Sequence, residues 1–510
     1  MSNDSANKRI AKNSMLLSIQ MVFVLILTLY TTRVVLQILG IEDYGVYNVV
    51  CGFVSMFTFL CTSMSNGIQR FFNFELGKNG EEGACKVFNT ALIIQAIFAL
   101  LIIILSETLG LWYLYEKMVI PDGRFDAAFW IFQFSIISFL FIIFQAPFTA
   151  AVMAHEKMSF YAVICVTDAI LKLAIVFVLP LIGSDKLIVY GFLFTIISIF
   201  NFTVYLIYCK RNFNEVKIRS KIYSDIFKSL LGFSGWNIFG AFANMMREQG
   251  INLILNFFFG PIVNAARGVA SQVNGGLQAF VANLTTAIRP QVVQSYAQGD
   301  YTRTMRLTFS ISKMSCFCLY IIALPVLLDI DLILDTWLGG NVPEHTSSFV
   351  YIIVLTSFLN NLNAAVSGVV HASGKMKLYQ LTGSLCMLLS LPLSYATLKM
   401  GAAPEWALII CFLTMILTQI VALFVLKTIV EFTIKDYILK VLRPFFTVVI
   451  LSFWIPSLIH CHMEVGIIRF ITVSSTSIIT TAIAVYFLGL DKSEKALITP
   501  IIYKVIRRNR

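Results

Sequence analysis

Between residues 262 and 288 an apolar stretch is interrupted by polar side chains at helical spacing. Asn264, Arg267, Ser271, Asn274, Gln278 and, further on, Thr285 and Arg289 recur at steps of three, four or seven. Each residue of an α-helix advances about 100°, so these side chains share one narrow face. Asn48, Ser55, Thr58, Thr62, Ser65, Asn66 and Gln69 repeat the device in an earlier apolar stretch, and Asn237, Gly240, Asn244, Arg247, Glu248 and Asn252 make a broader stripe. A weaker one has Gln20 and Thr31 on one side and Arg33 roughly opposite. Amides, hydroxyls and guanidinium groups in a row hold an anion without bond chemistry. No residue is expected to be catalytic.

Two functions compete for such stripes. Ser, Thr and Asn commonly bond one membrane helix to another. Arg267 and Arg289 share a stripe, however, and a lipid-facing Arg costs roughly 2.5–3.5 kcal/mol or more at the membrane centre. A water-filled cavity accounts for a full-length stripe better. The expected lining is Asn48, Thr58, Thr62, Gln69, Asn244, Asn274 and Gln278, with Arg247, Arg267 and Arg289 as its cations. Arg33, Lys172, Lys313 and Arg469 also fall within apolar spans, and Arg33 and Arg469 lie near span ends, where they snorkel towards water. Asp168 and Lys172, four residues apart, form an ion pair or a proton or cation site, and Glu248 partly neutralises a nearby cation. The positive balance suits an anionic substrate.

The elements that position these residues follow from composition. The chain has 510 residues, 58% hydrophobic and 13% charged, too apolar for an ordinary soluble protein. About fourteen apolar runs are long enough to cross a bilayer as helices. They cover 13–38, 44–66, 87–106, 127–150, 159–182, 186–208, 230–258, 262–288, 304–328, 347–370, 379–398, 405–426, 439–459 and 466–489, numbered here as spans 1 to 14. A closed barrel would show short alternating strands instead. The prediction is an all-α integral membrane protein. The polar start MSNDSANKRIAKN leads into a run too long for a cleavable signal and without a small-residue cleavage site.

The net charge of +11 does not point to nucleic acid. Lys8, Arg9 and Lys12, the cluster from Lys210 to Lys228, and Lys504, Arg507, Arg508 and Arg510 fall on one side of the membrane, whereas the opposite loops hold Lys117, Arg124, Lys186 and Lys399. By the positive-inside rule both termini are cytoplasmic, and the clusters contact anionic lipid at most secondarily. The acidic loop with Asp329, Asp331, Asp335 and Glu344 then falls on the periplasmic side. The ten cysteines form no CxxC pair and lie mostly in apolar runs, where a free Cys is a small filler. Cys316-Phe-Cys318 and His460-Cys-His462 resemble metal ligands only superficially, so neither a metal nor a cofactor is expected. The stretch GVVHASGKM from Gly368 has the wrong glycine spacing for a phosphate-binding loop and Met where Ser or Thr is needed.

The chain also repeats itself. AHEKMSFY from Ala154 is echoed by ASGKMKLY from Ala372, Gly40 by Gly260, and Gly77 by Gly299, at an offset of roughly 220 residues, too long for a solenoid but right for half of a duplicated transporter. Six spans per copy make the two repeats parallel. The expected organisation is a six-helix lobe over 1–215, a second over 216–430, and spans 13 and 14 with the basic tail over 431–510.

ARGVASQVNGGLQAFVANLTTAIRPQVVQSYAQGD, Ala266 to Asp300, resembles the span-8 signature of bacterial Wzx-type polysaccharide flippases, in the multidrug/oligosaccharidyl-lipid/polysaccharide exporter superfamily. The likeness extends to NSMLLSIQ near the start, LGIEDYGVYNVV after span 1 and LDTWLGGNVPEHTSSFV after span 9. It implies two six-helix lobes facing a central cavity and alternating access. It also implies transfer of an isoprenoid-diphosphate-linked oligosaccharide across the bacterial cytoplasmic membrane for surface polysaccharide (O-antigen, capsule or exopolysaccharide), with cavity cations meeting the diphosphate. H⁺ or Na⁺ is the candidate coupling ion, and membrane lipids are the other partners. A cation-coupled multidrug antiporter of the related exporter family is the alternative; it would rely on embedded carboxylates, for which Asp168 and Glu248 are available. A membrane glycan polymerase fits less well, because such enzymes need large extramembrane loops.

Overall fold

A computed structural model describes residues 3–155, 157–217, 223–373, 375–491 and 494–495. The side chains of 3–18 and of several later positions, Thr62, Asn66, Asn237, Thr285 and Arg289 among them, lie outside the described residues. The described chain is helical throughout its regular elements. Among the described residues eleven segments are long and apolar enough to cross a membrane: Ile19–Ser55, Lys78–Glu116, Phe125–Ala154, Met158–Leu181, Lys186–Asn212, Tyr301–Leu328, Thr346–Ser373, Met376–Lys399, Glu405–Lys427, Ile434–His462 and Ile467–Gly489. The remaining expected spans are also helical. Span 2 continues the Asn3–Ser55 helix and runs into Thr58–Leu105. Span 7 comprises Ser224–Met245, a π-helical turn at Met246–Gly250 and Ile251–Phe259, and span 8 is Pro261–Ala297.

The helices turn where glycine permits it. Gly40 has φ 82° and ψ 171°, and Gly260 has φ 76° and ψ −170°. Both lie in a region that side chains with a Cβ avoid, so the chain breaks its helix there and re-enters the next one at once. The two glycines paired by the sequence echo thus share a backbone conformation. The positive-φ glycine after span 2 is Gly80 (φ 62°), and after span 8 it is Gly299 (φ 76°). The motif AHEKMSFY and its echo behave alike, since helices begin at Met158 and at Met376.

Packing divides the chain into two compact units, one of residues 1–269, 341–346 and 387–410, the other of 270–340, 347–386 and 411–510. These boundaries differ from those expected at 215 and 430, which rest on a sequence echo and not on packing. The first unit buries Val46, Val50, Ile131 and Phe132 in one cluster and Phe72, Phe88, Phe148 and Tyr205 in another. The core of the second gathers Phe317, Tyr320, Val366, Leu426, Tyr437, Phe445 and Val448. Leu100, Trp454, Ile468 and Phe487 face outward. An outer surface of large apolar side chains is unfavourable in water and natural in hydrocarbon.

Ion pairs fasten each unit. In the first, Arg124 binds both Asp43, with Nε donating to Oδ1 at 2.7 Å, and Asp185. Burial pushes the Asp185 carboxyl up, but the Arg124 guanidinium and the Ile188 and Leu187 amides outweigh it and hold the group below its ordinary value. In the second, Arg469 does not snorkel. Its side chain is 10% exposed and donates at 2.6 Å to Asp329, whose side chain is 0% exposed. His460 Nε2 lies 3.5 Å from the same oxygen. Lys313 is likewise buried and paired at 2.7 Å with Glu494. Asp329 and Glu494 are therefore buried acids, although the sequence places both at span ends.

Candidate functional site

Span 7 begins as an ordinary α-helix and passes through the π-helical turn Met246–Gly250. Such turns are frequent at functional positions, because one extra residue per turn re-aims the side chains they carry. This one carries Arg247 and Glu248. Neighbours on a helix point about 100° apart, and the two have opposite fates: the Arg247 side chain is 3% exposed and that of Glu248 49%. Arg247 Nη2 donates to Glu248 Oε1 at 2.8 Å and to Asn244 Oδ1 at 3.1 Å. Arg267, reaching over from span 8 and 9% exposed, donates from Nη2 to Glu248 Oε2 at 3.4 Å. One carboxylate thus bridges two buried guanidinium groups from two helices. The cluster keeps one net positive charge, which burial would make costly without the bridging acid.

The helix crossings behind the cluster rest on amides and glycines. Asn264 Nδ2 donates to Asn252 O at 2.7 Å and to Asn252 Oδ1 at 2.8 Å, and Asn252 Nδ2 donates to Asn48 O at 3.4 Å. Asn48 itself donates to Tyr44 O at 2.7 Å. A chain of amides therefore ties spans 2, 7 and 8 together. Glycine lets those helices approach: a Cβ on Gly45 would stand 2.0 Å from Pro261 O, one on Gly52 2.8 Å from Gln249 Oε1, and one on Gly268 2.8 Å from Asn48 Oδ1. This is the small-residue packing of membrane helices. Asn256 adds a reciprocal pair with the backbone of Val119, accepting from its N–H at 2.9 Å.

The structure thus places the predicted residues in three ways. Arg247, Arg267, Glu248 and Asn244 meet in one cluster. Asn48, half-buried, joins the amide chain between helices; the sequence stripes also contain Asn252 and Asn264, which serve that chain. In the second unit Asn274 Oδ1 accepts from Ser357 Oγ at 2.7 Å, a link between spans 8 and 10, while Gln278 is half-buried. Gln69 is half-buried, and Thr58 donates to Ser55 O at 2.7 Å across the break in span 2. The side chains of Thr62 and Arg289 lie outside the described residues. Asp168 and Lys172 pair at 2.7 Å, and Asn201 Nδ2 donates to Asp168 Oδ1 at 2.7 Å. Among the described residues no group of His, Cys, Asp and Glu could hold a metal ion.

What the stripes did not reveal is the bridge itself, because the pairing of Glu248 with both arginines depends on the crossing of spans 7 and 8. Gly45, Gly52 and Gly268 signal only how closely span 2 packs against those two spans.

No family model and no curated protein matches the chain. Solved structures do. A lipid II flippase, MurJ, in an inward closed conformation superposes with a TM-score of 0.68 at 14% identity, over 92% of this chain and 98% of its own. A multidrug resistance MATE family transporter of the MOP superfamily, inward-facing, gives 0.65 at 12% identity, over 81% and 97%. A second MATE multidrug transporter, DinF-BH, gives 0.62 at 15%, over 84% and 97%. This is a multi-pass helical membrane protein with the fold that a lipid II flippase shares with MATE transporters.

Proposed function

We propose that the protein is a flippase that moves an isoprenoid-diphosphate-linked oligosaccharide from the cytoplasmic to the periplasmic leaflet of the bacterial inner membrane by alternating access, for surface polysaccharide. The observation that carries the reading is the Arg247–Glu248–Arg267 cluster, two buried guanidinium groups joined through a carboxylate that is half exposed. A diphosphate crossing hydrocarbon needs fixed cations, since each uncompensated charge costs several kcal/mol there. Arg suits the task because its planar fork can donate two hydrogen bonds to one phosphate. The proposal keeps Arg289 as a third substrate-binding cation, its side chain lying outside the described residues. The lobes at 1–215 and 216–430, with 431–510 added and both termini cytoplasmic, belong to the same proposal. The shared backbone conformation of Gly40 and Gly260 supports the duplication.

The competing reading, a cation-coupled multidrug antiporter, draws on Asp168 and Glu248, both partly exposed and both within helices. Each already faces a cation of the chain, which leaves less negative charge for a cationic drug. Complementation of a flippase-deficient strain separates the two. Wild type should restore surface polysaccharide, and the Arg247→Ala, Arg267→Ala double variant should lose at least about tenfold of that activity at unchanged membrane level, roughly 1.4 kcal/mol or more. Lys at both positions should restore part of it. Full activity of the double alanine variant sinks the cationic path, and dye efflux without glycan export would favour the antiporter.

A further inference from the structure

The bridging carboxylate is the exposed member of its cluster. Arg247 and Arg267 are 3% and 9% exposed, against 49% for Glu248. An anion arriving from the exposed side meets Glu248 before it meets either guanidinium. To bind them it must take the places now held by Oε1, 2.8 Å from Arg247 Nη2, and Oε2, 3.4 Å from Arg267 Nη2. Those two arginines are the charged groups facing Glu248 among the described residues, one on its own helix and one on span 8. The nearest neutral partner is Asn244, which shares Arg247. The other elements packed against the π-helical turn present Gly52 and Leu391 to it, neither of which titrates.

Displacement changes the protonation that Glu248 prefers. Ionised, it has two cations beside it; displaced, it has an anion where they were, and a like charge close by favours the protonated acid. The charge count points the same way. Two Arg and an ionised Glu leave one net positive charge, whereas protonated Glu248 leaves two. A diphosphate diester is a dianion, so the charge gained by protonating Glu248 brings the cluster closer to matching it, and a better match lowers the net charge carried through hydrocarbon.

We propose that Glu248 is an internal stand-in for the substrate's diphosphate, and that exchanging the two takes up one proton from water. The proton adds to the displaced carboxylate. It returns to water when the substrate leaves and Glu248 regains its guanidinium partners. Transport would then carry a proton in the direction of the lipid-linked substrate. This inference rests on the diphosphate reading given above.

Calorimetric titration of the purified full chain tests both separately, with a short-chain prenyl diphosphate-linked N-acetylglucosamine as the probe. Running it in buffers of different ionisation enthalpy counts the protons taken up per probe bound. Wild type should take up about one near neutral pH, and over the range where it does so its affinity should fall about tenfold per pH unit. Glu248→Gln should bind at least as tightly, take up no proton and lose that pH dependence. Glu248→Asp, which keeps an acid, should retain proton uptake and serves as the folded control. Binding by wild type without proton uptake, or unchanged uptake in Glu248→Gln, overturns the exchange and leaves the flippase reading standing. No binding by wild type overturns the diphosphate reading and the exchange with it.

Discussion

Replacing Arg469 with Met would test whether the buried pair in the second unit is structural. The Asp329 side chain is fully enclosed, and Arg469 is its close partner at 2.6 Å. Removing one member of such a pair leaves a buried charge with little compensation, at a cost of about 3–5 kcal/mol. Spread over a compact unit of this size, each kcal/mol shifts a melting midpoint by about 2–4 °C, so Arg469→Met should melt at least about 6 °C below wild type. His460 Nε2, 3.5 Å from the same oxygen, is then the ring left beside Asp329 among the described residues. The double variant Arg469→Met, Asp329→Leu removes both charges and fills the space with apolar atoms, which is close to neutral for a buried pair. It should recover most of the loss, with a coupling of about 2 kcal/mol or more between the two sites. Thermal unfolding of the detergent-purified protein, followed by tryptophan fluorescence, reads the double variant and the two singles, Arg469→Met and Asp329→Leu. A single variant that melts within about 2 °C of wild type, or a double variant worse than both singles, would mean that Arg469 reaches water after all.

Two further outcomes follow from the sequence and the structure. Gly45→Ala places a methyl 2.0 Å from Pro261 O, a distance that only backbone movement can relieve, so it should cost about 1–3 kcal/mol and lower the yield of folded protein. Gly235→Ala, with nothing within 4 Å, should leave size-exclusion profiles unchanged. For topology, a cysteine replacing Lys217 in a cysteine-free background should stay unmodified by a membrane-impermeant thiol reagent in intact cells; labelling there would reverse the proposed orientation.

Much of this molecule was legible in one dimension. Length and apolarity of the spans depend on local composition alone, so the membrane setting, the helical class and nearly every span could be read directly. Gly40 and Gly260 marked helix breaks because the backbone needs glycine there wherever the rest of the chain goes. Periodicity likewise put Asn264 and Arg267 on one face of span 8, and Asn244 with Arg247 on span 7. What periodicity could not do was say what that face meets. The same stripe supplies Asn264 to an amide chain between helices and Arg267 to a charged cluster, and only the crossing of spans 2, 7 and 8 separates the two roles. Buried charge was hidden for the same reason. Asp329 finds Arg469, and Glu494 finds Lys313 across 181 residues. An ion pair is selected by distance in space, and no pattern along the chain encodes a distance that folding alone creates.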